Sequence, residues 1–110
     1  MTYQEIKNMI ESFGYPFTYY EWKEGDVIPN LPYVVFYFPS SDNMSADNVV
    51  HQNIERMNIE VYSKEKDFAI EQHVETILNH NGFYWEKYEA FIESEDMYQV
   101  MYQMEVVITR

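Results

Sequence analysis

The sequence predicts an α+β fold in which two helices pack on one face of a mainly antiparallel sheet of about five strands, in the order α-β-β-β-α-β-β. Two segments carry apolar residues at helical spacing, and several others are short and aromatic or alternate apolar with polar residues. Turn signals separate these segments. At 110 residues there is room for one hydrophobic core, so residues 1–110 are expected to form a single domain.

The first helix is predicted at the N-terminus, where Thr2 and Glu5 have the spacing of a capping box. Gly14 supplies the stop signal. Between these signals, apolar residues recur at the spacing of one helix face: Ile6, Met9, Ile10 and Phe13.

Two strands are predicted to follow this helix. Residues 15–22 are aromatic, and their first part is expected to form a short strand before a turn at Gly25. Residues 33–38 lie between two prolines and are apolar on both alternating faces. The second strand is therefore either central and covered on both faces, or has an outer face that meets another subunit.

Residues 40–53 are rich in Ser, Asp and Asn and contain few apolar residues. This composition predicts either a loop or an extended hairpin tip. At about fourteen residues the segment exceeds the usual connection length, and such segments often carry function. We therefore expect assembly contacts here, with these candidate interface residues: Met44, Asp47, Asn48, Val49 and Val50.

Residues 54–62 alternate, so this strand is expected to bury one face and to keep a wet face that carries Asn58, Glu60 and Tyr62. A second helix is then predicted between the capping residue Asp67 and the stop signal at Gly82. Its apolar stripe consists of Ile70, Val74, Ile77 and Leu78.

Residues 82–108 are expected to form a long hairpin around the acidic turn at 93–96. One side of its second strand carries Tyr98, Val100, Tyr102, Met104, Val106 and Ile108. The other side carries Gln99, Met101, Gln103 and Glu105.

The charge and composition exclude several classes of protein. The chain has 19 acidic and 7 basic residues, a formal charge of −12, which repels nucleic acid and anionic lipid. It has no cysteine, so a disulfide scaffold, thiol catalysis and Cys-ligated zinc are excluded. The first residues lack the features of a signal peptide, and no apolar run is long enough to cross a bilayer, so no membrane partner is expected.

The sequence offers no catalytic, cofactor or metal site. Its three glycines are isolated, so neither a phosphate loop nor a dinucleotide fingerprint is present. The histidines lack metal-ligand spacing, and the polar residues from Asp42 to Asp47 lack the glycine and glutamate of a calcium loop. The carboxylates of the turn at 93–96 are expected to be hydrated. We therefore expect a protein that is not an enzyme.

Tyrosine and methionine are abundant, and both are enriched at the centres of protein interfaces. They could equally fill the core. A domain this small cannot hide all of its twenty aromatic side chains, so several must lie at the surface. Tyr37, Tyr62 and Met101 are candidate interface residues on this argument, with core packing as the equal alternative.

Five segments, in order, resemble a family of small proteins from phages and prophages of Gram-positive bacteria, the siphophage tail terminators, also called tail completion or head-tail joining proteins. The resemblance covers residues 2–108 and is carried by Leu31-Pro32-Tyr33, Ala46-Asp47-Asn48, Ile59-Glu60-Val61-Tyr62, Lys66-Asp67 with Glu71 and Glu75, and Ile92-Glu93-Ser94-Glu95 with Tyr98-Gln99-Val100-Met101-Tyr102.

The resemblance implies a structural protein of the virion, assembled in the cytoplasm of the bacterial host. Subunits would form a hexameric ring on the head-proximal end of the tail, cap the tail tube protein, stop its polymerisation and bind the head-closure (stopper) protein. Genomic DNA would only pass through the acidic channel. The alternative is an acidic protein-binding or DNA-mimic inhibitor encoded by a phage or prophage, which would require carboxylates aligned on one face.

Overall fold

The computed structural model describes residues 1–46 and 49–109 of the chain. It confirms the predicted α+β fold and the order of its elements, with one additional short strand, β3. The elements are α1 (Tyr3–Glu11), β1 (Phe17–Tyr19), β2 (Tyr33–Tyr37), β3 (Met44–Ala46), β4 (Val49–Ser63), α2 (Phe68–His80), β5 (Trp85–Ile92) and β6 (Met97–Ile108), with a 3₁₀ turn at Glu93–Glu95 between the last two strands.

The sheet is mixed, with the strand order β1-β2-β4-β6-β5 and β3 paired to β4. Every pairing is antiparallel except that of β1 with β2, where Phe17 lies opposite Val34 and Tyr19 opposite Phe36. Parallel neighbours need a connection of a dozen or more residues to return the chain, and residues 20–32 supply it. The sequence had predicted a mainly antiparallel sheet without locating this parallel edge.

Both helices contribute to one hydrophobic core with a single face of the sheet. In α1 the capping box forms as predicted, with Thr2 Oγ1 accepting from the Glu5 amide at 3.1 Å and Glu5 Oε1 accepting from the Thr2 amide at 3.0 Å. In α2 the carboxylate of Asp67 accepts from the amides of Ala69 and Ile70. The core residues from the helices are Ile6, Met9, Ile10, Val74 and Leu78, and those from β4 and β6 are Met57, Ile59, Val61, Val100, Tyr102, Met104, Val106 and Ile108.

A buried carboxylate on α2 ties this helix to the edge of the sheet. Glu71 is only 4% exposed, and its oxygens lie 2.6 Å from Lys66 Nζ and 3.2 Å from Lys87 Nζ. Lys87 also pairs with Glu75 at 2.9 Å, and the Tyr102 hydroxyl donates to the same Glu75 oxygen at 2.8 Å. Each charge of this network therefore has a partner of opposite sign, as buried charges require, and Glu71 Oε1 also accepts a hydrogen bond from Lys87.

Residues 40–46 and 49–53, which we call the arm, run as two paired extended segments, and the alternative of an irregular loop is wrong. After Pro39 the chain continues beside β4, with Asp42 donating its amide to the Ile54 carbonyl at 2.8 Å. β3 then pairs with the start of β4. The strand predicted at 54–62 thus begins at Val49, because the antiparallel ladder continues past the body of the sheet. With 15 residues at about 3.3 Å each, β4 approaches the longest dimension of the molecule, 50 Å.

Neither α1 nor α2 has the length and apolar character needed to span a bilayer.

Candidate interaction surface

The face of the sheet that the helices leave uncovered carries three cross-strand rows, because directly opposite residues on antiparallel strands share a face. We call these twelve residues the open face. The rows, from β2 through β4 and β6 to β5, are Tyr33-Tyr62-Gln99-Ala90, Val35-Glu60-Met101-Tyr88 and Tyr37-Asn58-Gln103-Glu86.

Glu60 lies at the centre of the open face and organises its tyrosines. The hydroxyl of Tyr37 donates to Glu60 Oε2 and that of Tyr62 to Glu60 Oε1, both at 2.8 Å. Gln99 Nε2 donates in turn to the Tyr62 hydroxyl at 2.9 Å. These bonds fix both rings in place, so a partner would meet an ordered surface with little side-chain entropy left to lose.

Burial and the neighbouring Glu60 carboxylate raise the pKa of Tyr62 far above its ordinary range. Burial and the same carboxylate also raise the pKa of Tyr37. Both hydroxyls therefore keep their protons at neutral pH and serve as donors to Glu60. The centre of the open face is an anion whose two oxygens are already held by phenols.

Aromatic side chains from residues 20–32 extend the open face beyond β2. The rings of Tyr33 and Tyr62 lie 5.2 Å apart, and Trp22 packs edge-on against Tyr33 at 5.7 Å. Tyr20 packs against Tyr37 at 5.5 Å from a left-handed backbone conformation with φ of 69°. Such a conformation is rare for a bulky residue. The connection thus adds two aromatic rings to one border of the face.

The charge of the open face is negative. Glu60 and Glu86 belong to it, and the basic residue that follows the same alternation on β4, Arg56, pairs with Glu105 at 3.9 Å. Elsewhere, Lys64, Lys66 and Lys87 also lie in ion pairs with carboxylates. The basic side chains are thus largely neutralised within the chain, and the surface offered to a partner is acidic and rich in tyrosine.

The structure places the candidate interface residues in two separate regions. Tyr37, Tyr62 and Met101 lie together on the open face, half-buried and outside the core cluster, with Met101 directly opposite Glu60. Met44, Val49 and Val50 lie in the strands of the arm. Asp47 and Asn48 lie outside the described residues. Their roles as contacts remain predictions.

Sequence reasoning missed several members of this surface. Glu60 had been assigned to a wet strand face, but its role as a common acceptor depends on Tyr37, which lies 23 positions away. Tyr33 and Gln99 were likewise not selected as interface residues. The alternation in β4 and β6 could have indicated a shared face, but only the register of the two strands brings these residues together.

A groove of about 720 Å³ lies beside the open face, where the arm leaves the body of the molecule. Its lining includes Asn58, Glu86 and Gln103 of the open face and the ion pair of Arg56 with Glu105. Among residues 1–46 and 49–109, no three carboxylates or imidazoles converge to hold a metal ion. What the region offers is a shaped polar and aromatic surface.

One solved structure with a similar chain is titled "Virion of native gene transfer agent (GTA) particle". The two chains superpose with a TM-score of 0.60 at 14% sequence identity, over 96% of this chain and 90% of the other. No family model and no curated protein matches the sequence. At this identity the similarity establishes a shared fold over nearly the whole of both chains.

Proposed function

We propose that this protein is a structural component of a phage or phage-like virion, and specifically a tail terminator. It would form a ring on the end of the tail tube, stop tube polymerisation and bind the head-closure protein. The observation that carries the proposal is the fold shared with a chain of a gene transfer agent virion over 96% of the sequence. The sequence resemblance to tail terminators supports the finer assignment.

The open face and the arm are suited to assembly through unlike surfaces. A closed ring needs two different patches on each subunit that meet around a rotation axis, together with end surfaces for other proteins. The open face supplies an ordered, tyrosine-rich patch around Glu60, while the arm extends along β4 away from the body. Aromatic residues and methionine are enriched at interface centres. We assign ring and tube contacts to these two regions.

The acidic character of the chain suits a ring through which DNA passes, since negative walls do not retain phosphate. It does not favour a DNA mimic. Within the described ranges the carboxylates are spread over α1, α2, the open face and the 93–96 turn, and several are paired with lysines.

The test is negative-stain electron microscopy of the purified protein with isolated tail tubes. We expect sixfold rings at one end of each tube. The variant Met101→Lys should remain folded, because the new ammonium lies opposite Glu60, but should not form rings, because a charge replaces an apolar contact.

The matched control is Gln72→Lys, which makes the same charge change on the exposed surface of α2 and should assemble normally. A protein that stays monomeric in the presence of tubes would contradict the ring proposal. Rings formed equally well by both variants would contradict the assignment of the contact to the open face.

A further inference from the structure

Strand β5 forms an outer edge of the sheet, and its protection against further pairing is limited to its charged side chains, Glu86, Lys87 and Glu89. In residues 1–46 and 49–109 it pairs only with β6. Its sequence, Trp85–Ile92, contains neither proline nor glycine, and its pairing with β6 runs through all eight residues without a bulge. Long, regular, exposed edges are templates for another strand.

We propose that β5 pairs with β5 of a second copy of this chain, antiparallel, around a two-fold axis at Tyr88. The proposal concerns the free protein and does not depend on the ring. In this register Lys87 faces the partner's Glu89, and Glu89 faces the partner's Lys87. Trp85 faces the partner's Phe91, and Glu86 faces the partner's Ala90. The strand is thus complementary to itself in both charge and apolar contacts.

The two neighbouring symmetric registers are unfavourable. Moving the axis by one residue places Lys87 opposite Lys87 or Glu89 opposite Glu89, and like charges directly opposite one another are destabilising. A parallel arrangement in matching register opposes every charge to its own copy. At the other end of the sheet, β1 offers only three residues for pairing. Strand length therefore favours β5 over β1, and the charges favour the register centred on Tyr88 over its two neighbours.

The helices leave room for the second strand. Lys87, Glu89 and Phe91 point to the helix side of the sheet, and although Lys87 contacts Glu71 and Glu75 of α2, all three side chains stay exposed beside the helix. Glu89 and Lys87 already form ion pairs with Lys66 and Glu75 of their own chain. Pairing would join the two networks into one ladder of alternating charge across the interface.

Self-pairing must also overcome the repulsion between two chains of charge −12 each. This repulsion is long-ranged and is screened beyond about 8 Å at physiological ionic strength. The cross-strand ion pairs are shorter than that distance. We therefore expect the dimer to be weak at low salt and to strengthen as the ionic strength approaches physiological values.

A single cysteine tests the two-fold axis directly, because the chain contains none. In Tyr88→Cys the two thiols would lie directly opposite one another, at a cross-strand separation that a disulfide can bridge. We expect a covalent dimer on a non-reducing gel under mild oxidation. The control Tyr84→Cys, at a residue that is 85% exposed and precedes β5, should cross-link much more slowly.

Sedimentation analysis of the cysteine-free protein gives a second readout. The unaltered chain should show a concentration-dependent dimer that Tyr88→Lys abolishes, since two ammonium groups would meet at the axis, while Tyr84→Lys retains it. Equal cross-linking of the two cysteine variants, or a chain that is monomeric at every concentration and salt, would overturn the proposal. A dimer found without rings on tail tubes would refute the proposed function and leave this edge pairing intact.

Discussion

Tyr102 and Tyr62 form the same bond on opposite faces of one sheet. Each hydroxyl donates to a glutamate at 2.8 Å, Tyr102 to Glu75 and Tyr62 to Glu60. Tyr102 is fully buried under α2, and the Glu75 oxygen that it contacts also binds Lys87. Tyr62 is half-buried, and the described residues place no lysine or arginine in an ion pair with Glu60. On the helix side the carboxylates are paired with lysines, whereas Glu60 on the open face is held by tyrosine hydroxyls alone among the described residues.

Truncating a side chain on each face of the sheet should produce the largest difference in stability between variants of the two faces. Ile59→Ala removes a fully buried side chain of the helix side and should cost about 2–5 kcal/mol of unfolding free energy. Met101→Ala, on the adjacent strand of the open face, should cost clearly less because its side chain is only half-buried. Urea unfolding of both variants measures the difference, and equal losses would mean that the open face is part of the core.

Removing the hydroxyls of Tyr102 and Tyr62 should produce a smaller difference in unfolding free energy. Tyr102→Phe removes a hydroxyl of a fully buried residue from the partly buried Glu75 and should cost about 1–2 kcal/mol. Tyr62→Phe should cost less, because Tyr62 is only half-buried and water can replace its lost hydroxyl beside Glu60. The same urea titration reports both values. A larger loss for Tyr62→Phe would show that the Glu60 cluster holds the fold together.

Stability should fall at alkaline pH. Burial and then the Glu75 carboxylate raise the pKa of Tyr102, and burial and then Glu60 raise those of Tyr62 and Tyr37. When the pKa of a group is higher in the folded state, the group contributes its full share of stability below its unfolded-state pKa, which is about 10 for tyrosine. That contribution is lost as the pH rises from the unfolded-state pKa toward the folded-state pKa. Hydrogen bonding to Glu75 raises the pKa of Lys87 and adds a loss in the same direction.

Phenolate absorbance during a pH titration checks this expectation. Phenolate absorbance that appears while the circular dichroism is unchanged should not come from Tyr37, Tyr62 or Tyr102. The buried tyrosines should ionise only together with unfolding. If all eleven tyrosines ionised in a single step near pH 10 without unfolding, the hydrogen bonds to Glu60 and Glu75 would not exist in solution.

Shortening the arm should have the smallest effect on stability. Asp42 and Ile54 lie side by side in the hairpin, so residues 43–53 can be replaced by the two-residue turn Asn-Gly. We expect a shift in unfolding free energy of less than about 1 kcal/mol, because residues 44–46 pair with residues 49–52 at the start of β4, before the pairing with β6 begins at Asn53. Ring formation on tail tubes should be lost. If the shortened chain formed normal rings, the arm would not be needed for the assembly contacts.

Local signals predicted much of this architecture. Both helices were predicted from their capping residues, Thr2 and Asp67. The main part of β4, which contributes side chains to both faces of the sheet, was predicted from the alternation in residues 54–62. Each of these features depends on neighbours within a few positions of the chain.

The candidate surface depends instead on distant pairings. The bond from Tyr37 to Glu60 requires the register of β2 on β4, and the position of Met101 requires that of β4 on β6. Strands were not predicted in the arm because its polar residues have low strand propensity. The backbone pairing between β3 and the start of β4 forms despite that composition. Glu71 lies on the buried stripe of α2, and only the lysines that contact it explain its burial.

Under the proposed function, the open face would contact the tail tube. Oxidative footprinting tests it most directly, by comparing Met101 with Phe68, which is 68% exposed on α2, before and after addition of tail tubes. We expect binding to tubes to lower oxidation at Met101 more than at Phe68. Ring formation with unchanged oxidation at Met101 would contradict it.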